Sequence, residues 1–210
     1  MADGLLYVLS QPRPGDEPAF HSWYDEEHAP LRLTVPGIRT ADRYRAADDT
    51  RPEWLALYDL DVDALATPAY RRLNDERSDR ERTVMGRLET LDRRVYELLG
   101  DHGAAGDGPA PVVVARGLTV PESAAADLDA WYTGEHIPAL HAIPGWRRTR
   151  RYRLVEGAGP AYLTLHEISG TDLFGTPEYR AATDTPWRDR VMATVTASER
   201  RVFAHHRSFA

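Results

Sequence analysis

The sequence has no cysteine, which excludes disulfides, thiolate nucleophiles and cysteine-ligated zinc or iron–sulfur centres. It has no lysine either, all 26 basic residues being arginine. A guanidinium that keeps its proton cannot serve as the amine of a Schiff base, so a covalently held pyridoxal cofactor is excluded as well. No apolar run approaches the roughly 18 residues that cross a bilayer, and the opening Met1-Ala2-Asp3-Gly4 lacks the basic and apolar segments of a signal peptide. A soluble, cytoplasmic protein with no membrane partner is expected. The net charge of -7 disfavours binding to a phosphate backbone, so nucleic acid is not an expected partner. The basic stretch with five arginines between residues 147 and 153 reads as a strand whose arginines pair with carboxylates or face water. His136 and His141 are five apart and His205-His206 are adjacent, so neither pair has the i, i+4 spacing of a helical metal site, and no metal is expected. Glycine-rich phosphate loops and a G-x-S-x-G elbow are also missing. Proton chemistry is left to His, Asp, Glu and Tyr.

What the sequence does contain is a repeat. Trp23-Tyr24-Asp25-Glu26-Glu27-His28-Ala29-Pro30 returns as Trp131-Tyr132-Thr133-Gly134-Glu135-His136-Ile137-Pro138, a shift of 108. Over residues 23–45 this shift matches 11 of 23 positions, among them Pro36-Gly37 and Arg43-Tyr44-Arg45, where chance gives about one or two. Trp54 to Leu60 answer Tyr162 to Ile168, and Thr67-Pro68 answers Thr176-Pro177. The period is far longer than that of solenoid arrays, so a tandem duplication is expected. The first repeat covers 1–99, a Gly/Ala/Pro linker covers 100–111, and the second repeat covers 112–210.

Within the first repeat, the apolar run Leu5 to Leu9 predicts a strand. Asp16 is a candidate helix N-cap, after which Phe20, Tyr24, His28 and Leu31 share one helical face. Pro30 either kinks this helix or ends it. Strands are expected over Ile38 to Ala46 and Glu53 to Asp61, then a short helix from Thr67, an Arg/Glu-rich solvated helix over Asp75 to Leu88, and a closing strand Arg93 to Leu99. The second repeat gives the same order, β-α-β-β-α-β, which is the ferredoxin-like split βαβ. One face of such a sheet is left bare, so the expected fold is α+β, with the two antiparallel sheets facing each other as an intramolecular barrel around a cavity. Leu55, Leu57, Leu163 and Leu165 would face the helices. Period-two alternation then turns Trp54, Ala56 and Tyr58, with Tyr162, Thr164 and His166, to that cavity.

The signature Trp23-Tyr24 through Glu27-His28-Ala29-Pro30 with Pro36-Gly37, together with its copy at Trp131 to Gly145, resembles the EthD-like group of the dimeric α+β barrel superfamily. The resemblance spans essentially the whole chain as two fused copies. It implies a barrel whose helical His points to the cavity, here His28 and His136. It also implies a range of activities, from isomerases, polyketide cyclases and dehydratases to cofactor-free monooxygenases and, more distantly, haem enzymes.

Tyr24 and His28, like Tyr132 and His136, are four apart, so phenol and imidazole share a face in each copy. An imidazole is the natural proton shuttle near neutral pH. Histidines bonded to backbone carbonyls as core residues are the competing explanation. Candidate catalytic residues are therefore His28, His136, His166, Tyr24 and Tyr132. Trp54, Tyr58, Tyr162, Thr164, Arg43 and Arg151 are candidate substrate contacts. Glu27 and Glu135 either orient the imidazoles or pair with Arg43 and Arg151. Were one half alone catalytic, the half holding both His136 and His166 is expected to be that half. The leading expectation is a cofactor-independent enzyme that uses His acid/base chemistry on a hydrophobic, aromatic or polyketide-like small molecule, by cyclisation, dehydration or isomerisation. A cofactor-free monooxygenase and a non-catalytic binding protein are the alternatives. No cofactor is expected, haem being the minor possibility, and the chain is expected as a monomeric pseudo-dimer or a homodimer.

Overall fold

The computed structural model of the chain describes residues 3–106 and 108–209. Asp107, in the expected linker, lies outside the described residues. The strands are β1 (Asp3–Pro12), β2 (Ala41–Ala46), β3 (Trp54–Asp61), β4 (Leu88–Gly103), β5 (Val112–Thr119), β6 (Trp146–Glu156), β7 (Tyr162–Ile168) and β8 (Ala197–Phe209). The helices are α1 (Glu17–Trp23), α2 (Ala29–Leu33), α3 (Pro68–Asp75), α4 (Asp79–Met85), α5 (Ala125–Trp131), α6 (Ile137–His141), α7 (Pro177–Thr183) and α8 (Pro186–Met192). Among the described residues no helix is long and apolar enough to cross a membrane.

The chain divides into two compact units whose boundaries are not those of the repeat. The first comprises Met1–Leu98 with Val155–Ala158 and His205–Ala210; the second comprises Leu99–Leu154 and Gly159–Ala204. The cause is visible in the strands. β4 continues through Gly103, so the first four residues of the expected linker are extended strand. The end of β4 lies beside β6, where Asp101 binds Arg148 at 2.5 Å and Ala104 N–H donates to the Arg147 carbonyl. Likewise the end of β8 lies beside β2, with Ser208 bonded to Asp42 and His205 edge-on to Tyr44.

In the first unit the antiparallel order is β4-β1-β3-β2, followed by the end of β8. Tyr7 opposes Leu57 on one side and Arg94 on the other. In the second unit the order is β8-β5-β7-β6, followed by the end of β4, with Ala115 opposite Leu165 and Arg201. Alternation along these strands is as expected, but the faces are exchanged. Trp54, Ala56 and Tyr58 pack in one cluster with Phe20, Trp23 and Tyr24, so they lie under their own unit's helices. Leu55 and Leu57 lie on the opposite face and are buried there. The error came from assigning the more apolar residues to the helix side, whereas the large aromatics fill that space.

The signature helix does not end at Pro30, which lies inside α2. It widens into a single π-helical turn, Tyr24–His28, closed by Ala29 N–H donating to the Tyr24 carbonyl five residues back, before α2 begins. The second copy does the same over Tyr132–His136. A turn of this kind carries the residue five positions on back over its predecessor. His28 accordingly lies 4.5 Å from the Trp23 ring and 4.8 Å from that of Tyr24. The long solvated helix expected over Asp75 to Leu88 is shorter, Asp79–Met85, because Ser78 caps it by accepting from Glu81 N–H.

Each signature helix is followed by a turn whose glycine has positive φ, +93° at Gly37 and +97° at Gly145. A Cβ at Gly145 would stand 2.3 Å from Ser169 Oγ, whereas one at Gly15, also at positive φ, meets open space. Gly145→Ala is expected to destabilise the protein by about 2–4 kcal/mol and Gly15→Ala by only about 1–2 kcal/mol, the backbone term alone. Urea denaturation of the two variants measures this, and equal losses would contradict the packing argument.

Candidate functional site

In the first unit a cavity of about 680 Å³ opens between the sheet and the unit's own helices. The sequence expectation had placed it beyond the other face of the sheet. Its apolar wall comes from Leu6 and Val8 of β1, Trp23 of α1, Met85 of α4 and Val95 of β4. Its polar groups are few and convergent, the pattern of a small-molecule site. His28 Nδ1 is 3.6 Å from Glu81 Oε1, ion-pair distance but beyond a hydrogen bond. Glu81 is buried and also meets Arg32 at 3.5 Å and Arg77 at 3.9 Å. With Nδ1 turned to a carboxylate, Nε2 is the nitrogen left to the cavity that His28 lines.

The charge states follow from burial and neighbours. Burial lowers the His28 pKa, only partly offset by Glu81, so the ring is neutral at pH 7. Burial alone would raise the Glu81 carboxyl, but His28, Arg32 and Arg77 together hold it below the usual range. Tyr24 and Tyr58, both lining the cavity, share a hydroxyl hydrogen bond of 2.7 Å. Burial raises both phenols, that of Tyr58 strongly, so both keep their protons. One hydroxyl donates to the other, and the second proton is free to meet a ligand oxygen. Arg32, held by the Asn74 side-chain carbonyl at 3.2 Å, adds a cation to the lining.

Several expected site residues do other work. Arg43 is buried, binds Asp25 at 2.5 Å and His21 Nδ1 at 2.9 Å, and lies 4.2 Å over the Tyr24 ring. It anchors the signature helix to β2 and is not among the cavity-lining residues. Trp54 packs against His21 and His206, away from the cavity. Glu27 neither orients His28 nor binds Arg43, but accepts from Ser78, the cap of α4, at 2.5 Å. Glu135 repeats this on Thr185, the cap of α8, at 2.6 Å, while Arg151 pairs with Asp129 at 2.5 Å and lies over Tyr132. In both copies the conspicuous glutamate of the signature ties one helix to the next.

The second unit has its own, smaller pocket of about 280 Å³, lined by Tyr132, His136 and His166. Thr164 holds the Tyr132 hydroxyl, and Tyr162 packs beside Trp131; neither lines the pocket. His136 stacks on Trp131 at 4.3 Å, with Nδ1 3.3 Å from the Ala182 carbonyl, and burial takes its pKa down to about 4. His166 Nδ1 accepts from Trp146 Nε1 at 3.3 Å. That nitrogen therefore carries no proton, so Thr149 donates to it at 3.0 Å and itself accepts from His141 Nε2 at 3.0 Å. The network fixes His166 as the Nε2–H tautomer, and burial first, then His136 and His141, keep its pKa well below the ordinary value.

Solved structures share this fold. An anthrone oxidase-like protein superposes with a TM-score of 0.71 at 13% identity, over 99% of this chain and 92% of its own. A proposed monooxygenase from Fusobacterium nucleatum gives 0.66 at 8% identity, over 99% and 94%. A heme-degrading enzyme from Listeria monocytogenes gives 0.53 at 9%, over 96% and 99%. Identities this low establish the α+β fold and nothing of the activity. No family model matches the chain, and no curated protein matches it.

Glu81 and Arg32 are the functional candidates that sequence reasoning missed. Ser78-Asp79-Arg80-Glu81 does carry the S-x-x-E pattern of a capping box, but that pattern points to a helix end. The carboxylate turns inward to His28, which only the docking of α4 beside the π turn could reveal.

Proposed function

We propose that the chain is a tandem duplicate of an EthD-like unit whose first copy is the catalytic one. The reading is a cofactor-independent oxidation of a polycyclic, anthrone-like or phenolic substrate that starts with proton abstraction by His28. The observation that carries it is His28, whose Nδ1 faces Glu81 while its ring lines a mostly apolar cavity with the Tyr24–Tyr58 hydroxyl pair. A positioned neutral imidazole removes a proton from a methylene acidified by a conjugated carbonyl. The free phenolic proton of the Tyr24–Tyr58 pair and Arg32 then steady the enolate oxygen as charge develops on it. The carbanion carbon reduces dioxygen, forming a C–O bond to a hydroperoxide. Loss of water from that hydroperoxide leaves a new carbonyl, so one oxygen atom ends in product and the other in water. Cyclisation, dehydration and isomerisation share the enolate step; oxidation ranks ahead of them because the oxidase-like and monooxygenase neighbours have the same fold.

The test is oxygen uptake with anthrone as substrate. One dioxygen consumed per quinone formed, with His28→Ala losing turnover yet keeping ligand affinity within a few-fold, is the expected result. Tight binding without turnover would replace the enzyme by a carrier. A second reading is haem binding, favoured by the free Nε2 of His28 in the cavity. Its lining would suit the group: His28 could supply a nitrogen ligand, and Arg32, Arg71 and Arg77 could supply cations for the propionates. Bound haem would supply redox chemistry there. Haem titration followed in the Soret region separates the two, since no absorbance change removes haem.

A further inference from the structure

The pockets of the two units differ in the sign of their charge. α4 and α8 begin alike, Ser78 accepting from Glu81 N–H and Thr185 accepting from Arg188 N–H. The third residue of each helix faces the pocket, so where the first unit sets Glu81 beside His28, the second has Arg188. On the sheet, Val8 pairs with Ala56 and Arg93, and its counterpart Arg116 pairs with Thr164 and Arg200. Arg116, Arg188 and Arg200 therefore converge on the second pocket, whose described lining includes no Asp or Glu. Half-buried Arg116 donates to the Glu199 carbonyl at 3.2 Å and lies 4.0 Å from Met192 Sδ. Arg200 lies over Phe174, and Arg188 is 3.6 Å from the exposed carboxylate of Asp189. In a protein of net charge -7, where most other arginines meet carboxylates directly, these three cations repel one another across the pocket, and an anion between them would relieve that repulsion.

We propose that the second unit's pocket is a receptor for a small organic anion, a carboxylate or phosphate held by Arg116, Arg188 and Arg200 with a single aromatic ring behind it. Guanidinium forks bind such heads bidentately. The ring seat is apolar and aromatic, with Trp146 and Tyr179 stacked at 5.9 Å and Leu140 alongside. A volume of about 280 Å³ falls below the range for drug-sized ligands, which restricts the guest to a compact one. His166 carries its proton on Nε2, so that nitrogen has no lone pair to repel the anion. The assignment stands apart from the reading of the first unit.

Calorimetric titration of the whole chain with benzoate, benzamide and inorganic phosphate tests it. Benzoate is expected to bind at least 10-fold tighter than its neutral isostere benzamide. Phosphate binding alone would identify the head as phosphate; binding of neither anion would overturn the proposal. Arg188→Gln and the exposed Arg200→Gln should each weaken the anion at least 10-fold, with folding checked by circular dichroism. Arg71→Gln, in the first unit's cavity, should leave its affinity unchanged. A loss confined to Arg71→Gln would move the anion to the other unit and refute the assignment. If the arginine variants fail to fold, the unaltered protein still decides, a benzoate-to-benzamide ratio near one together with no phosphate binding being fatal.

Discussion

His28→Ala is expected to lower turnover by about 10²–10⁴-fold, the usual contribution of a positioned general base. The phenol pair and Arg32 remain in that variant, so KM should change little, which assigns the loss to the proton transfer itself. Glu81 acts through His28 and is a positioning residue. Its carboxylate raises the imidazole's affinity for protons while burial and Arg32 lower it. Glu81→Gln therefore makes His28 a weaker base, and turnover is expected to fall about 10–100-fold. The sign of the pH effect follows. Without the carboxylate the His28 pKa falls further, so the acidic limb of kcat/KM moves to lower pH as the plateau drops. A purely structural Glu81 would lower the plateau and leave the limb in place, so the pH profile is the deciding measurement. Glu81→Asp, which keeps the charge, should restore the limb.

The repeat carried much of this arrangement in legible form. Matching Trp, Tyr, His and Pro-Gly positions at one spacing reveal two equivalent strand and helix sets, and the Pro-Gly turns appear at positive φ where glycine was needed. Alternation along β3 and β7 was legible too, but not the choice of face. Leu55 and Tyr58 both read as buried, and both are buried. Which of them meets the helices depends on the volume left under α1, which Phe20, Trp23 and Tyr24 fill together with Trp54 and Tyr58. The π turn was hidden because i, i+4 spacing fits an α-helix equally well. The difference in charge between the two pockets was hidden for a different reason. Glu81 and Arg188 lie outside the aligned signature, and each looks like an ordinary surface residue in a charged helix. Counting histidines favoured the second half; burial, then Arg188 and Arg116, lower the pKa of His136, whereas His28 has a carboxylate, Glu81, acting against its burial.

The same buried imidazoles make acid the protein's weak point. His136 is 8% exposed, and its pKa falls from 6.5 to about 4 on folding. Above the unfolded value neither state binds a proton and stability does not change with pH. Between pH 6.5 and 4 the unfolded chain takes up a proton that the folded one refuses, so stability falls as pH falls. Below about 4 both states are protonated and this contribution levels off. For His136 alone the whole loss is about 3 kcal/mol. Burial lowers His28 and His166 in the same direction, so their losses fall in the same acid range. Glu81 is held the other way, its stabilisation present above the ordinary carboxyl range and lost as pH falls below it, which extends the decline further into acid. Urea unfolding at pH 7 and at pH 4.5 should therefore differ by at least about 3 kcal/mol, a large share of a typical domain's 5–15 kcal/mol. His136→Gln keeps a neutral polar group by the Ala182 carbonyl but takes up no proton. It should flatten the slope between pH 6.5 and 4 by close to one proton equivalent, even though it lowers stability at pH 7. An unchanged slope in that variant would mean that His136 is protonated in the folded protein, and its place over Trp131 would then be that of a cation rather than a neutral ring.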